Sequence, residues 1–134
     1  MIVDTSALVA IVLQEDSYEQ LITTLTTTTR PSGIGTPTVA ELGLVLASRL
    51  AVDPRSLIGR LLDEFDIEEV PFGEPHWREA VGAFLRFGRG RHAAALNFGD
   101  CLTYAVAKLA NEPLLFVGND FAATDLEVAT RDLT

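Results

Sequence analysis

The chain has 134 residues, of which 48 % are apolar, and a formal net charge of −9. This length suits one compact domain over residues 1–134, which buries roughly two-thirds of the surface that its unfolded chain exposes. No apolar run reaches the ~20 residues of a membrane span, and the single cysteine excludes an internal disulfide. We expect a cytoplasmic protein that contacts no membrane, and the negative charge alone argues against nucleic-acid binding.

The apolar periodicity and the residues that start and stop helices predict strands and helices in alternation. Thr5, Thr36 (followed by Pro37) and Asn97 are expected to cap helices. The predicted order is strand 2–3, helix 5–13, helix 17–28, strand 32–35, helix 36–50, helix 53–65, strand 66–70, helix 74–87, helix 97–110, strand 114–117 and edge strand 126–129.

Short apolar strands that alternate with helices predict an α/β fold whose parallel sheet is covered on both faces. Ligands of such sheets bind at the carboxyl ends of the strands. Asp4 follows the first strand and Asp120 follows the strand over 114–117, so both are expected at the same edge.

Four acids stand near a strand end or a helix start among apolar neighbours: Asp4, Glu41, Asp100 and Asp120. Each has a structural alternative. Asp4 could accept N–H groups of the next helix, and Asp100 could be an acid in the first turn of its helix. Glu41 could form a capping box with Thr38, and Asp120 could belong to a turn.

Taken together, the four acids predict a cation site. Several carboxylates in one place repel each other and raise their pKa values unless a cation is present. Ligands that are all oxygen suit a hard ion such as Mg²⁺ or Mn²⁺. Such an ion activates water for in-line attack on a phosphodiester, so we expect hydrolysis at phosphorus without a covalent intermediate.

Other kinds of site lack their residues. Zinc ligands are limited to His76, His92 and Cys101, without the spacing of a metal site. The chain has no phosphate-loop or dinucleotide-binding glycine motif and no nucleophile elbow. A phosphatase would need a second aspartate after Asp4, and a receiver domain a lysine after a late strand. The only lysine, Lys108, lies inside a predicted helix.

Four segments, in this order and spacing, resemble the PIN-domain nucleases. They are Val3-Asp4-Thr5-Ser6-Ala7-Leu8, Val39-Ala40-Glu41-Leu42, Leu96-Asn97-Phe98-Gly99-Asp100-Cys101 and Leu114-Leu115-Phe116-Val117-Gly118-Asn119-Asp120-Phe121. The stretch from Gly90-Arg91-His92 to Asp100, with Thr124-Asp125-Leu126, is typical of the VapC toxins of bacterial VapBC toxin–antitoxin pairs.

The resemblance implies a three-layer α/β/α sandwich with a short central parallel sheet, and a toxin that cleaves RNA, often tRNA or rRNA. Asp4 and Asp100 would be the principal Mg²⁺ ligands, with Mn²⁺ able to substitute, and Glu41 and Asp120 would complete the site. Ser6 or Thr5 would orient Asp4, and Asp125 would supply a further acid or a supporting contact. The side chains expected behind the ligands are Thr5, Ser6, Asn97 and Asp125.

The resemblance also implies partners: a VapB-type antitoxin whose tail covers the site, and a homodimer within a larger toxin–antitoxin assembly. We expect the apolar surfaces for both on helices near the N-terminus and in the 37–65 region. The cluster Arg86, Arg89, Arg91 and His92 either ends a helix or holds RNA phosphates. Trp77 is expected in the core or an interface rather than under a base.

Two other functions remain open on the sequence. A non-catalytic α/β module could bind RNA or a partner and use its acids as helix caps. A phosphatase-like or receiver domain is the weaker alternative, because its second aspartate and its lysine are missing.

Overall fold

The computed structural model describes residues 1–129. Within this range, four parallel strands form one sheet: β1 (Ile2–Val3), β2 (Ser32–Gly35), β3 (Ile67–Val70) and β4 (Leu114–Leu115). The same residues form six helices that flank it: α1 (Thr5–Leu13), α2 (Tyr18–Thr27), α3 (Thr36–Leu50), α4 (Arg55–Glu64), α5 (Glu74–Phe87) and α6 (Phe98–Ala110).

The strand order is β3-β2-β1-β4, so the chain reverses its direction across the sheet between β1 and β4. Strands β1, β2 and β3 advance one way, and right-handed crossovers place α1 to α4 on one face. The return to β4 runs the opposite way and places α5 and α6 on the other face. Such a reversal opens a crevice beyond the carboxyl ends of the two strands.

Alternate residues of the sheet face two separate cores. Val3 and Leu115 pack with α1 to α4, whereas Ile2 and Leu114 pack with α5 and α6. Both cores are buried, which confirms the predicted α/β/α sandwich with its short parallel sheet. Among residues 1–129, no helix combines the length and apolar character that a membrane crossing requires.

The structure corrects several local predictions. Asp4, not Thr5, is the N-cap of α1, and α3 begins without a side-chain cap at Thr36. Strand β4 ends at Leu115, and the expected edge strand over 126–129 contributes only one parallel bridge, from Val128 to Leu114. Asn97 caps α6 as expected.

The exposed apolar surface lies only partly where it was expected. Leu44 and Val52 are exposed in the predicted 37–65 region. The other large exposed apolar side chains lie on α5, on α6 or further along the chain: Trp77, Val81, Phe84, Leu85, Phe98, Leu109 and Val117. Helices α1 and α2 carry none of them, because they bury their apolar faces in the first core.

Candidate active site

Asp4 is held at the reversal point of the sheet, directly after β1. The residue is 7 % exposed. Oδ2 accepts hydrogen bonds from the Ser6 backbone N (3.1 Å) and from Ser6 Oγ (2.6 Å). Ser6 Oγ also accepts from the backbone N of Val117 (3.0 Å), just after β4. Ser6 therefore ties Asp4 to both strands at the crevice.

Two buried threonines complete the support of Asp4. Thr103 Oγ1, on α6, donates to Asp4 Oδ1 at 2.9 Å. Thr103 Oγ1 also lies 3.2 Å from Thr38 Oγ1, on α3. Because a carboxylate only accepts, Thr103 gives its single hydroxyl proton to Asp4 and Thr38 must donate to Thr103. The relay links three elements that meet at the site.

Glu41 lies beside the N-terminus of α6. Thr5 Oγ1 donates to Glu41 Oε1 at 2.6 Å, so Thr5 orients Glu41 and not Asp4. The Glu41 carboxylate lies against Gly99, where a Cβ atom would overlap Oε2 and stand 3.1 Å from Cδ. Glycine leaves room there for an acid beside the positive end of a helix, whereas a larger residue would displace the Glu41 carboxylate. The Thr38–Glu41 capping box is absent, since the Thr38 hydroxyl pairs with Thr103.

Asp100 has both of the roles that the sequence left open. Its Oδ2 accepts from the Asn97 backbone N (3.0 Å), and Asn97 Oδ1 accepts from the Asp100 backbone N (2.9 Å), which is a capping box. This uses one carboxylate oxygen. In residues 1–129 the other oxygen, Oδ1, has no hydrogen-bond donor, so Asp100 can cap α6 and still offer a ligand.

Asp120 is the least supported of the four acids. It lies exposed in a turn after β4, where Gly118 adopts a φ of +105° that favours glycine. No hydrogen bond within the described range reaches its carboxylate.

The other three acids nevertheless act on the charge of Asp100. The pKa of Asp100 is raised to about 6, first by burial and then by the negative charges of Asp120, Asp4 and Glu41, although the hydrogen bond from Asn97 opposes the shift. All three acids therefore lie near enough to Asp100 to disfavour its charge.

The donor set fits a hard divalent cation. The nearby donors are carboxylate oxygens, and Glu41 Oε2 and Asp100 Oδ1 accept no hydrogen bond from residues 1–129. Within the same range, no three His, Cys, Asp or Glu side chains converge closely enough to enclose an ion alone. Mg²⁺ does not need such a cage, because it keeps several waters and binds one or two carboxylates directly.

Asp125 differs from Asp100 because both of its carboxylate oxygens accept hydrogen bonds. It accepts from Tyr104 Oη (2.7 Å), Lys108 Nζ (2.8 Å) and Arg86 Nη2 (3.2 Å). Burial raises its pKa, but the bonds from Lys108, Tyr104 and Arg86 outweigh that effect and hold the pKa at about 2. Asp125 is thus fully ionised and already neutralised by two cations.

The four residues predicted to contact RNA differ in whether their side chains already contact other residues of the protein. Arg86 pairs with Asp125, and the Arg91 guanidinium lies 5.4 Å from the centre of the Phe84 ring. His92 Nδ1 accepts from the Ala94 backbone N, which closes the loop after α5. Arg89 is exposed and shows no side-chain partner among residues 1–129.

Sequence reasoning missed Thr38 and Thr103 as supports of the site. Thr103 lies three residues after Asp100, and Thr38 three residues before Glu41. Residues three apart share a helix face, so a lone hydroxyl at that distance from an acid was a usable indication.

Comparison with known proteins identifies the family of this chain. The PIN domain family model matches residues 1–127. Ribonuclease VapC36 of Mycobacterium tuberculosis is 46 % identical over 127 residues, which cover 95 % of this chain and 91 % of that protein. Ribonuclease VapC28 of the same organism is 43 % identical over 135 residues, covering 96 % and 97 %.

Solved structures share the fold. The crystal structure of the toxin VapC20 of Mycobacterium tuberculosis, described as cleaving the sarcin-ricin loop, has a TM-score of 0.76 at 13 % identity over 93 % of this chain and 95 % of that one. A chain of a toxin–antitoxin complex from Klebsiella pneumoniae has a TM-score of 0.68 at 18 % identity, covering 92 % of each. With a family model and relatives above 40 % identity along nearly its whole length, the chain belongs to the PIN-domain family, among the VapC ribonucleases.

Proposed function

We propose that this protein is the toxin of a type II toxin–antitoxin pair, an endoribonuclease that hydrolyses RNA with a Mg²⁺ ion held by Asp4, Glu41, Asp100 and Asp120. The supporting observation is that Asp4, Glu41 and Asp120 all act on the charge of Asp100 at the reversal point of the sheet. They come from four distant parts of the chain, which capping alone does not explain.

Asp4 and Asp100 would hold the ion directly, with Glu41 and Asp120 completing its surroundings, in part through water. The bound ion, Mg²⁺ or Mn²⁺, supplies an activated water and stabilises the charge that develops on the phosphodiester oxygens. Ser6 and Thr103 fix the Asp4 carboxylate before any ligand arrives, which reduces the cost of assembling the site. Thr5 does the same for Glu41.

RNA would be held beside the acids by the loop after α5. Arg89 and Arg91 are exposed there and can contact phosphates, whereas Arg86 is engaged with Asp125. A net charge of −9 leaves few other cations, so recognition would rest mainly on the shape of a structured RNA such as a tRNA or rRNA loop. An RNA substrate of this kind would place the activity in the cytoplasm.

An antitoxin would neutralise the toxin by covering the four acids. A segment with a lysine or arginine could replace the cation, because the site concentrates negative charge. Its partner role is supported by the toxin–antitoxin complex that shares the fold.

We also propose a homodimer through the exposed stripe of α5. Trp77 and Leu85 lie four residues on either side of Val81, on one helix face, and each is half exposed or more. An antiparallel pair of α5 helices would place Trp77 of each copy against Leu85 of the other, as a two-fold interface requires. A Cβ added at Gly82 would meet nothing within 4 Å, which leaves room for a close helix approach.

The nuclease is tested by RNA-end sequencing after induced expression of the wild type, Asp4→Asn and Asp100→Asn. The matched control is Asp63→Asn, at an exposed position of α4. We expect new RNA ends with the wild type and the control only, and loss of cleavage with EDTA in the purified protein. Undiminished cleavage by both site variants would overturn the proposal. A non-catalytic binding module would produce no new ends in any sample.

A further inference from the structure

The loop that carries Asp120 lacks the helix or strand that positions the other three acids. Residues 116–126 contain only turns and bends. Phe121 is 2 % exposed and packs edge-on against Phe116, with ring centroids 5.1 Å apart. This apolar contact buries the middle of the loop, but it does not fix the direction of the exposed Asp120 side chain.

Asp125 supplies the polar anchor at the far end of this loop. Both of its oxygens are used, with Oδ1 bound to Tyr104 and Oδ2 bound to Lys108 and Arg86. The three donors come from two helices, α5 and α6. The side chain of Tyr104 is fully buried, so its hydroxyl would lose a costly hydrogen bond if the loop moved away.

Helix α6 connects this anchor to the site. Asp100, Tyr104 and Lys108 are spaced by four residues and lie along one face of the helix. The first turn of α6 presents Asp100 to the acidic cluster, and the following turns bind Asp125. Helix α6 therefore carries both Asp100 and two of the three donors that hold the far end of the Asp120 loop.

We infer that Asp125 is a positioning residue, which pins the Asp120 loop to α6 and so sets Asp120 beside Asp100, without binding the ion itself. Its charge is already balanced by Lys108 and Arg86, whereas Glu41 Oε2 and Asp100 Oδ1 have no such partner among residues 1–129. This inference rests on the proposed metal site.

A double-mutant cycle tests the inference through Mn²⁺ binding, measured by calorimetry on wild type, Asp125→Ala, Asp120→Asn and the double variant. We expect Asp125→Ala to raise the Kd for Mn²⁺ roughly tenfold, as for other residues that orient a ligand. In the Asp120→Asn background the same change should not raise the Kd further, because Asp125 acts on the ion only through Asp120. The inference would be overturned if the two increases in Kd multiplied in the double variant, or if the Kd were unchanged in Asp125→Ala.

Amide hydrogen exchange over residues 117–124 provides a second measurement that needs neither RNA nor metal. Asp125→Ala should speed exchange in this loop, and Asp125→Asn, which keeps an acceptor for Tyr104, should do so less. Asp53→Ala is the matched control, since Asp53 forms a comparable ion pair with Arg55 on α4. Unchanged exchange in Asp125→Ala would refute the anchor, while Mn²⁺ binding without RNA cleavage by the wild type would refute the nuclease alone.

Discussion

The relay from Thr38 through Thr103 to Asp4 shows how the site is built at the scale of single residues. Asp4 is buried, and a buried carboxylate is costly unless donors satisfy it. Ser6 and Thr103 supply those donors from α1 and α6, so folding itself orients the principal acid.

Replacing Thr103 tests this support. Thr103→Val keeps the shape of the side chain but removes the donor to Asp4 and leaves the Thr38 hydroxyl unpaired, so the free energy of unfolding should fall by about 1–3 kcal/mol. Thr103→Ser keeps the hydroxyl and should retain most of the stability. Denaturant-induced unfolding measures both, and equal losses would show that packing of the methyl group matters instead.

Asp100 gives the site a pH dependence. Its pKa of about 6 lies above the ordinary value of 3.8, so the folded state binds the proton more tightly than the unfolded chain does. Protonated Asp100 therefore contributes to the free energy of unfolding of the metal-free protein at low pH, and this contribution is lost as the pH rises from about 4 to about 6.

The comparison of wild type with Asp100→Asn isolates this contribution. Without metal, the free energy of unfolding of the wild type should fall by on the order of 1 kcal/mol relative to the variant between pH 4 and pH 7. This figure allows for solvent screening of the half-buried Asp100 carboxyl. Mn²⁺ binding should weaken below about pH 6, where a proton competes for Asp100. Parallel stability curves for the two proteins would contradict this assignment.

Helix α6 is the element on which the site depends. Its capping box fixes Asp100, its first turn leaves room for Glu41 at Gly99, and its next turn supports Asp4 through Thr103. The sequence predicted this helix and its Asn97 cap from local residues. The spacing of Thr38 and Thr103 from the acids indicates a supporting role, but the contacts of the relay and the close approach at Gly99 depend on how α1, α3 and α6 pack together.

Gly99→Ala tests that close approach. A methyl group there would collide with the Glu41 carboxylate, and we expect cleavage to fall at least tenfold as Glu41 is displaced. Gly59→Ala, in a helix where the added methyl meets nothing, should stabilise the protein by about 0.5–1 kcal/mol and leave cleavage intact. RNA cleavage and thermal melting of both variants provide the comparison, and full activity in Gly99→Ala would be the contrary result.

At the scale of the whole molecule, the reversal of the sheet between β1 and β4 decides where the acids meet. Apolar periodicity predicted the elements, and the acids at strand ends predicted the edge. The exposed apolar surfaces were only partly predicted, because the burial of α1 and α2 depends on tertiary packing that the local sequence pattern does not reveal.

The α5 stripe leads to a prediction about assembly. Val81→Glu places a charge at the centre of the proposed two-fold contact and should convert a dimer into a monomer in sedimentation or light-scattering measurements. Leu44→Glu, at an exposed position on α3 outside the stripe, should leave the mass unchanged. A wild-type monomer, or a dimer that survives Val81→Glu, would exclude this interface.

The convergence of the four acids on one cation is tested most directly by thermal melting of the wild type and Asp4→Asn, with and without Mg²⁺. An ion that binds only the folded state raises its melting temperature. We predict that Mg²⁺ raises the melting temperature of the wild type and leaves that of Asp4→Asn unchanged. Equal shifts in the two proteins, or no shift in the wild type at millimolar Mg²⁺, would contradict the account.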